Sequence, residues 1–178
     1  MGQVVGAFRS QDQVRHGFIW SSSSNSFIEA SFNNPSDGSP NSVPANGGTI
    51  PFGINDGTRT TSPQIVGDYV KAPNLGRHGF LLSNGVYTDI DPPGSMMTVA
   101  EGINNSGVIV GVYIDTSGGQ HGFVLQGGPN GTYTTVDVPG SIKTEINSID
   151  QSNVIVGYYT DKSNNTHGFI GMPNPPTN

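Results

Sequence analysis

One stretch of about 30 residues recurs along this chain, and repetition at a fixed period dictates a repeated supersecondary unit. Gly94–Phe123 reads GSMMTVAEGINNSGVIVGVYIDTSGGQHGF, and Gly140–Phe169 returns as GSIKTEINSIDQSNVIVGYYTDKSNNTHGF. Thr49–Phe80 is a third copy, and a partial fourth opens the chain with VVGAF at Val4–Phe8 and HGFIW at His16–Trp20. His78 to His121 is 43 residues and His121 to His167 is 46. His16 to His78 is 62, because Asn33–Gly48 inserts a polar loop and Thr58–Ser62 lengthens a turn.

Within a unit the apolar residues come in short runs bounded by Gly, Asn, Asp, Ser or Pro, the mark of strands rather than helices. The third unit predicts four of them: strand a at Thr98–Asn104, b at Val108–Asp115, c at His121–Leu125 and d at Tyr133–Val138. Asn105-Ser106-Gly107 and Pro139-Gly140 supply turns, since Gly reaches positive φ and Pro ends a ladder. Four strands in 43–46 residues is the spacing of a β-propeller blade, whereas a trefoil has only three units. The expected fold is therefore all-β and propeller-like, as one repeat domain over 1–178. Its units are 1–48 (partial, with the loop 33–48), 49–93, 94–139 and 140–178 (partial). The first strand a and the last strand d are missing, which leaves 14 strands, or three and a half to four blades. Unpaired strand edges at the two ends invite another chain. Two chains would supply 28 strands, enough for seven blades.

Composition narrows the function. Seven Lys and Arg against 13 Asp and Glu give a net charge of −6, too few cations to release counterions from a phosphate backbone, so nucleic acid is an unsuitable partner. The absence of cysteine excludes disulfides and thiolate zinc sites. No apolar run has the length of a membrane span. Met1-Gly2-Gln3 leads directly into repeat residues, which reads either as a cytoplasmic protein or as a mature form carrying an added Met, and the composition favours the second.

The combination GIN-x-x-G-x-IVG-x-Y-x-D, then HGF, then Y-T-x-x-D-x-PG-S resembles the HAF family of extracellular bacterial repeats, with His-Gly-Phe here in place of His-Ala-Phe. The likeness runs over nearly the whole chain. It implies a secreted, extracellular, propeller-like scaffold and carries no activity that transfers residue by residue.

Candidate site residues follow the repeat. His16, His78, His121 and His167 each open a strand c. As a ring they would offer metal ligands or a proton relay. As structural residues, His121 and His167 would bond Asp115 and Asp161 to close the b–c hairpin, a place held by Ser10 and Lys71 in the first two units. The structural role is the expected one, with no metal and no cofactor. Tyr69, Tyr113 and Tyr159 (Phe8 in the first unit) end strand b and, with the histidines, would form a rim able to stack on sugars. Phe18, Phe80, Phe123 and Phe169 read as core. Glu101 and Glu145 both lie on strand a, yet Glu101 aligns with Asn147 and Glu145 with Val99, so they do not form a repeated acid–base pair. Asn55, Asn104 and Asp150 read as turn-capping residues. No nucleophile elbow, P-loop or zinc-protease helix is present.

The expected function is a secreted recognition module for glycans or cell-envelope surfaces. One alternative is a structural protein that self-associates through strand edges. Another is an enzyme with an asymmetric site, for which the Asn33–Gly48 loop, Arg59, Lys71 and Arg77 are the features that break the repeat.

Overall fold

A computed structural model describes residues 2–11, 14–30, 48–57, 62–71 and 76–172, with the side chain of Lys71 outside that set. Fourteen strands and no helix make up the described residues. The first unit holds β1 (Gln3–Arg9), β2 (Arg15–Ser21) and β3 (Ser26–Ala30). The second holds β4 (Thr49–Ile54), β5 (Ile65–Lys71), β6 (Gly76–Ser83) and β7 (Val86–Ile90). The third holds β8 (Ser95–Ile103), β9 (Ile109–Asp115), β10 (Gln120–Gln126) and β11 (Thr132–Val136). The fourth holds β12 (Ser141–Ile149), β13 (Ile155–Asp161) and β14 (Thr166–Gly171).

Each unit is an antiparallel meander of neighbours in sequence, with three, four, four and three strands. Among the described residues the first unit has no strand a and the fourth no strand d, so each of these two is three-stranded. Two chains would together hold eight such meanders, four of them three-stranded. Short parallel contacts, Arg15 with Gly48 and Gln120 with Lys143, join a strand c to the following strand a.

The turns follow the residues that the sequence offers for them. Gly94, Gly107 and Gly140 take positive φ, and Asn153 at 62° does the same work where the fourth unit lacks the glycine of Gly107. Asn104 Oδ1 accepts the N–H groups of Ser106 and Val108, and Asp150 Oδ1 accepts those of Ser152 and Val154, as capping Asx residues do. Asn55 and Asn104 also reach forward. Their Nδ2 groups donate to the carbonyl oxygens of Asn104 and Asp150 respectively, each at 3.1 Å. One buried amide thus caps its own turn and ties its unit to the next.

Period-2 alternation gives every sheet two apolar faces. The face toward the preceding unit carries Ile65, Tyr69 and Phe80 in unit two, and Ile109, Tyr113, Phe123 and Leu125 in unit three. The face toward the following unit carries Val66 and Leu81, or Val110 and Val124. Three cores result: Val5 and Ile19 against Ile65, Tyr69 and Phe80; Val66 and Leu81 against Ile109 and Phe123; Val110 and Val124 against Ile146, Ile155 and Phe169. Phe80 and Phe123 are 0% and 1% exposed, and burial of each stabilises by roughly 1.5–3 kcal/mol.

The glycine of His-Gly-Phe explains the close stacking. A Cβ on Gly17, Gly79 or Gly122 would meet Pro51, Thr98 or Ile146 of the next strand a at 2.8, 3.1 and 2.9 Å. The missing side chain is what lets the next unit approach.

Candidate functional site

The four histidines sit at one register of strand c, each opposite the aromatic of strand b: His16 with Phe8, His78 with Tyr69, His121 with Tyr113, His167 with Tyr159. The paired rings lie 5.3, 5.8, 5.2 and 5.0 Å apart. His121 Nε2 is 3.3 Å from Asp115 Oδ2 and His167 Nε2 is 3.0 Å from Asp161 Oδ2, the hairpin closure expected from their spacing. Ser10 fills the same place in the first unit, its hydroxyl 3.0 Å from His16 Nε2.

A carboxylate at Nδ1 of three of the rings was not foreseen, and for His121 it is a second one. Glu29, Asp91 and Asp137 lie 2.7, 2.8 and 2.9 Å from Nδ1 of His16, His78 and His121. Asp91 and Asp137 are the Asp of D-x-PG, whose recurrence one strand after each His-Gly-Phe was the available signal. Glu29 comes from two residues earlier. In units two and three that position holds Asp89 and Thr135, which bond the hydroxyls of Tyr69 and Tyr113 at 2.7 and 2.9 Å. Phe8 has no hydroxyl, so Glu29 can serve the histidine instead. Burial opposes a charge on His121, but Asp137 and then Asp115 outweigh it and its pKa rises. Asp115 is pushed down to about 2, first by the Ser117 hydroxyl and then by the Gly119 N–H.

These placements fix what the histidines and tyrosines can do. Each imidazole is committed within its own unit, and among the described residues no three His, Asp or Glu side chains gather as a metal cage. Tyr69 and Tyr113, 3% and 9% exposed, lie between sheets with no ring face open to a sugar. Tyr159 is half-buried.

Chemistry gathers instead on the strand-a side of units two to four. A cavity of about 200 Å³ is lined by Arg77, Glu101, Gln120 and Glu145, with Phe52 and Val112 among its apolar walls. Strand a carries a β-bulge at the same place in units two to four, with Phe52, Glu101 and Asn147 as the extra residues. A bulge re-aims its side chain. That is how Glu101, out of register with Glu145, comes to share one cavity with it.

The two carboxyl groups have different surroundings. Glu145 accepts hydrogen bonds from Tyr158 Oη at 2.6 Å, Asn147 Nδ2 at 2.9 Å and Gln120 Nε2 at 3.2 Å. Tyr158 is pushed up to about 12, chiefly by that hydrogen bond to Glu145. Glu101 is pushed up to about 7 by burial, then by the negative charges of Glu145 and Asp68, with Arg77 offsetting part of this. Arg77 is itself held by Asp68 through two 2.6 Å bonds in a bidentate pair. Burial raises the pKa of Asp68 above its ordinary value, and the hydrogen bonds and charge of Arg77 offset only part of this.

Of the features expected to break the repeat, Arg77 is here. Arg59, residues 33–47 and the Lys71 side chain lie outside the described residues. Asp68, Gln120 and Tyr158 were not anticipated. For Asp68 and Tyr158 the signal was a column of the repeat: Ala7, Asp68, Val112 and Tyr158 share one register yet have nothing in common chemically. Comparison with family models, with curated proteins and with solved structures finds no match to this chain. Among the described residues, no helix is long and apolar enough to cross a membrane.

Proposed function

We propose that the chain is an extracellular, propeller-like scaffold that works as a recognition module for glycans, taking a terminal sugar into the cavity beside strand a. The stacked meanders, with β4, β8 and β12 packed beside one another, support the propeller reading. The resemblance to HAF repeats supports the extracellular one. The observation that carries the ligand class is the lining. Phe52, 41% exposed, offers an apolar ring beside the guanidinium of Arg77, the amide of Gln120 and two carboxyl groups. An apolar wall with a few convergent donors and acceptors is how small polyhydroxylated ligands are held. The volume lies below the ~300–1,000 Å³ of drug-sized pockets, which fits one ring rather than an oligosaccharide. A glycan array tests this: binding is expected from the wild type and lost in both Phe52→Ala and Glu145→Gln. A blank array, or binding indifferent to both substitutions, refutes it.

One specific observation favours a second reading, an enzyme. Glu101, with its raised pKa, and Glu145 form an unlike carboxyl pair in one cavity, the arrangement that acid–base hydrolysis uses. Turnover of aryl glycosides with a pH profile that breaks near 7 and vanishes in Glu101→Gln would establish it.

A further inference from the structure

The three cores inside the chain are the same interface made three times. The face of one unit toward its successor meets the face of the next toward its predecessor, at constant register. Among the described residues two such faces are left over, one on the fourth unit and one on the first. On the fourth unit Val156, Tyr158 and Ile170 are 40%, 36% and 79% exposed. Their counterparts in unit three, Val110, Val112 and Val124, are 0%, 5% and 1% exposed. On the first unit Val4, Phe8 and Phe27 are 51%, 47% and 70% exposed, and Val4 and Phe8 hold the places of Ile65 and Tyr69.

A terminal repeat that ends in solvent needs a polar outer face. These two faces are apolar instead. Where units two and three carry Tyr69 and Tyr113, the first unit has Phe8. Where they carry Tyr87 and Tyr133 it has Phe27, and where they carry Leu82 and Leu125 it has Trp20. At the other end, Gly168 keeps the glycine of His-Gly-Phe with nothing beside it but the Gly157 carbonyl oxygen, 3.9 Å from where a Cβ would sit. In the interior stacks that space holds Pro51, Thr98 or Ile146. The first unit, which has no strand a among its described residues, brings larger rings to the same side.

We infer that the face of Val156, Tyr158 and Ile170 receives the face of Val4, Phe8, Trp20 and Phe27 of a second copy of this chain, head to tail. The contact continues the internal stack and does not depend on the reading of the cavity. It joins faces, not strand edges. Because the two surfaces differ, each copy offers one of each. Two copies bring eight sheets together, within the ~4–8 blades at which propellers close.

Sedimentation equilibrium tests this with Ile170→Lys and Phe27→Lys, both at well-exposed positions, and with Val156→Glu and Val4→Glu as substitutes should either fail to match the far-ultraviolet circular dichroism of the wild type. The wild type is expected at twice the chain mass and each variant at the chain mass. An equimolar mixture of the two variants is expected to recover the doubled mass, since one unaltered pair of faces remains. The double variant stays single. A wild type of one chain mass overturns the proposal, as does a loss of association in only one of the two variants, which would mean a face pairing with itself. A mixture that stays at one chain mass overturns it too.

Discussion

Gly122 and Gly168 hold the same place in successive units, and so do Val124 and Ile170, yet their surroundings are opposite. Gly122 is pressed against Ile146 and the Val136 carbonyl, and Val124 is 1% exposed. Gly168 faces open space and Ile170 is 79% exposed. The residues are alike because the repeat is written for a neighbour. Of these two units, only the third has one on that side among the described residues. In a stack of this kind burial belongs to the interface, and each interface adds its own share of stability.

The largest effect expected from breaking this comparison is at the glycines. Gly122→Val forces a side chain into backbone and into Ile146, and should cost about 3 kcal/mol or more. Gly168→Val should stay within about 0.5 kcal/mol when the monomer is melted in dilute solution. Equal costs would mean that unit four is covered after all.

Asn104 sharpens the comparison next. It is fully buried and donates to the Asp150 carbonyl, whereas Asp150 at the same place in unit four caps its turn with no amide to donate. Asn104→Asp keeps the cap but faces a carboxylate to that carbonyl, with an expected loss of about 1–3 kcal/mol by urea titration. Asp150→Asn should change stability by a few tenths of a kcal/mol at most.

A third test uses pH. Glu101 is raised from 4.5 to about 7 in the fold, so between those values the folded state holds the extra proton. Stability then falls as pH rises through that window and is lowest above it. After allowance for partial solvent screening, Glu101→Gln should stabilise by about 1 kcal/mol at pH 8 and do little at pH 4. A variant curve with the wild-type slope would dissociate Glu101 from that titration.

A fourth test separates the histidines. His121 bonds two aspartates, and His121→Ala should cost about 1–2 kcal/mol. His167 bonds Asp161 at a more exposed site and has no following strand d among the described residues, so His167→Ala should cost less than about 0.5 kcal/mol. Thermal melts at pH 6 decide the order. His16 bonds Ser10 and Glu29, so its loss is expected to fall between these two, above what its lack of an aspartate partner implied.

What the amino-acid sequence determined by itself is the local grammar. The 14 strands, the turns at Gly107 and Gly140, and the pairing of His121 with Asp115 all follow from period-2 alternation, turn chemistry and spacings of a few residues, each checked by repetition. Such features are decided by atoms close along the chain. The tertiary structure alone decided what units do to each other. Glu101 and Glu145 share a cavity because a bulge turns one side chain toward the next sheet, and periodicity is blind to that. Tyr113 is core and Tyr158 lines its sheet's open face, although both are tyrosines of strand b, because successive residues of a strand point to opposite faces and only one of those faces has a neighbour. Burial and electrostatics depend on which surfaces meet, and a repeat alone does not say where the meeting stops.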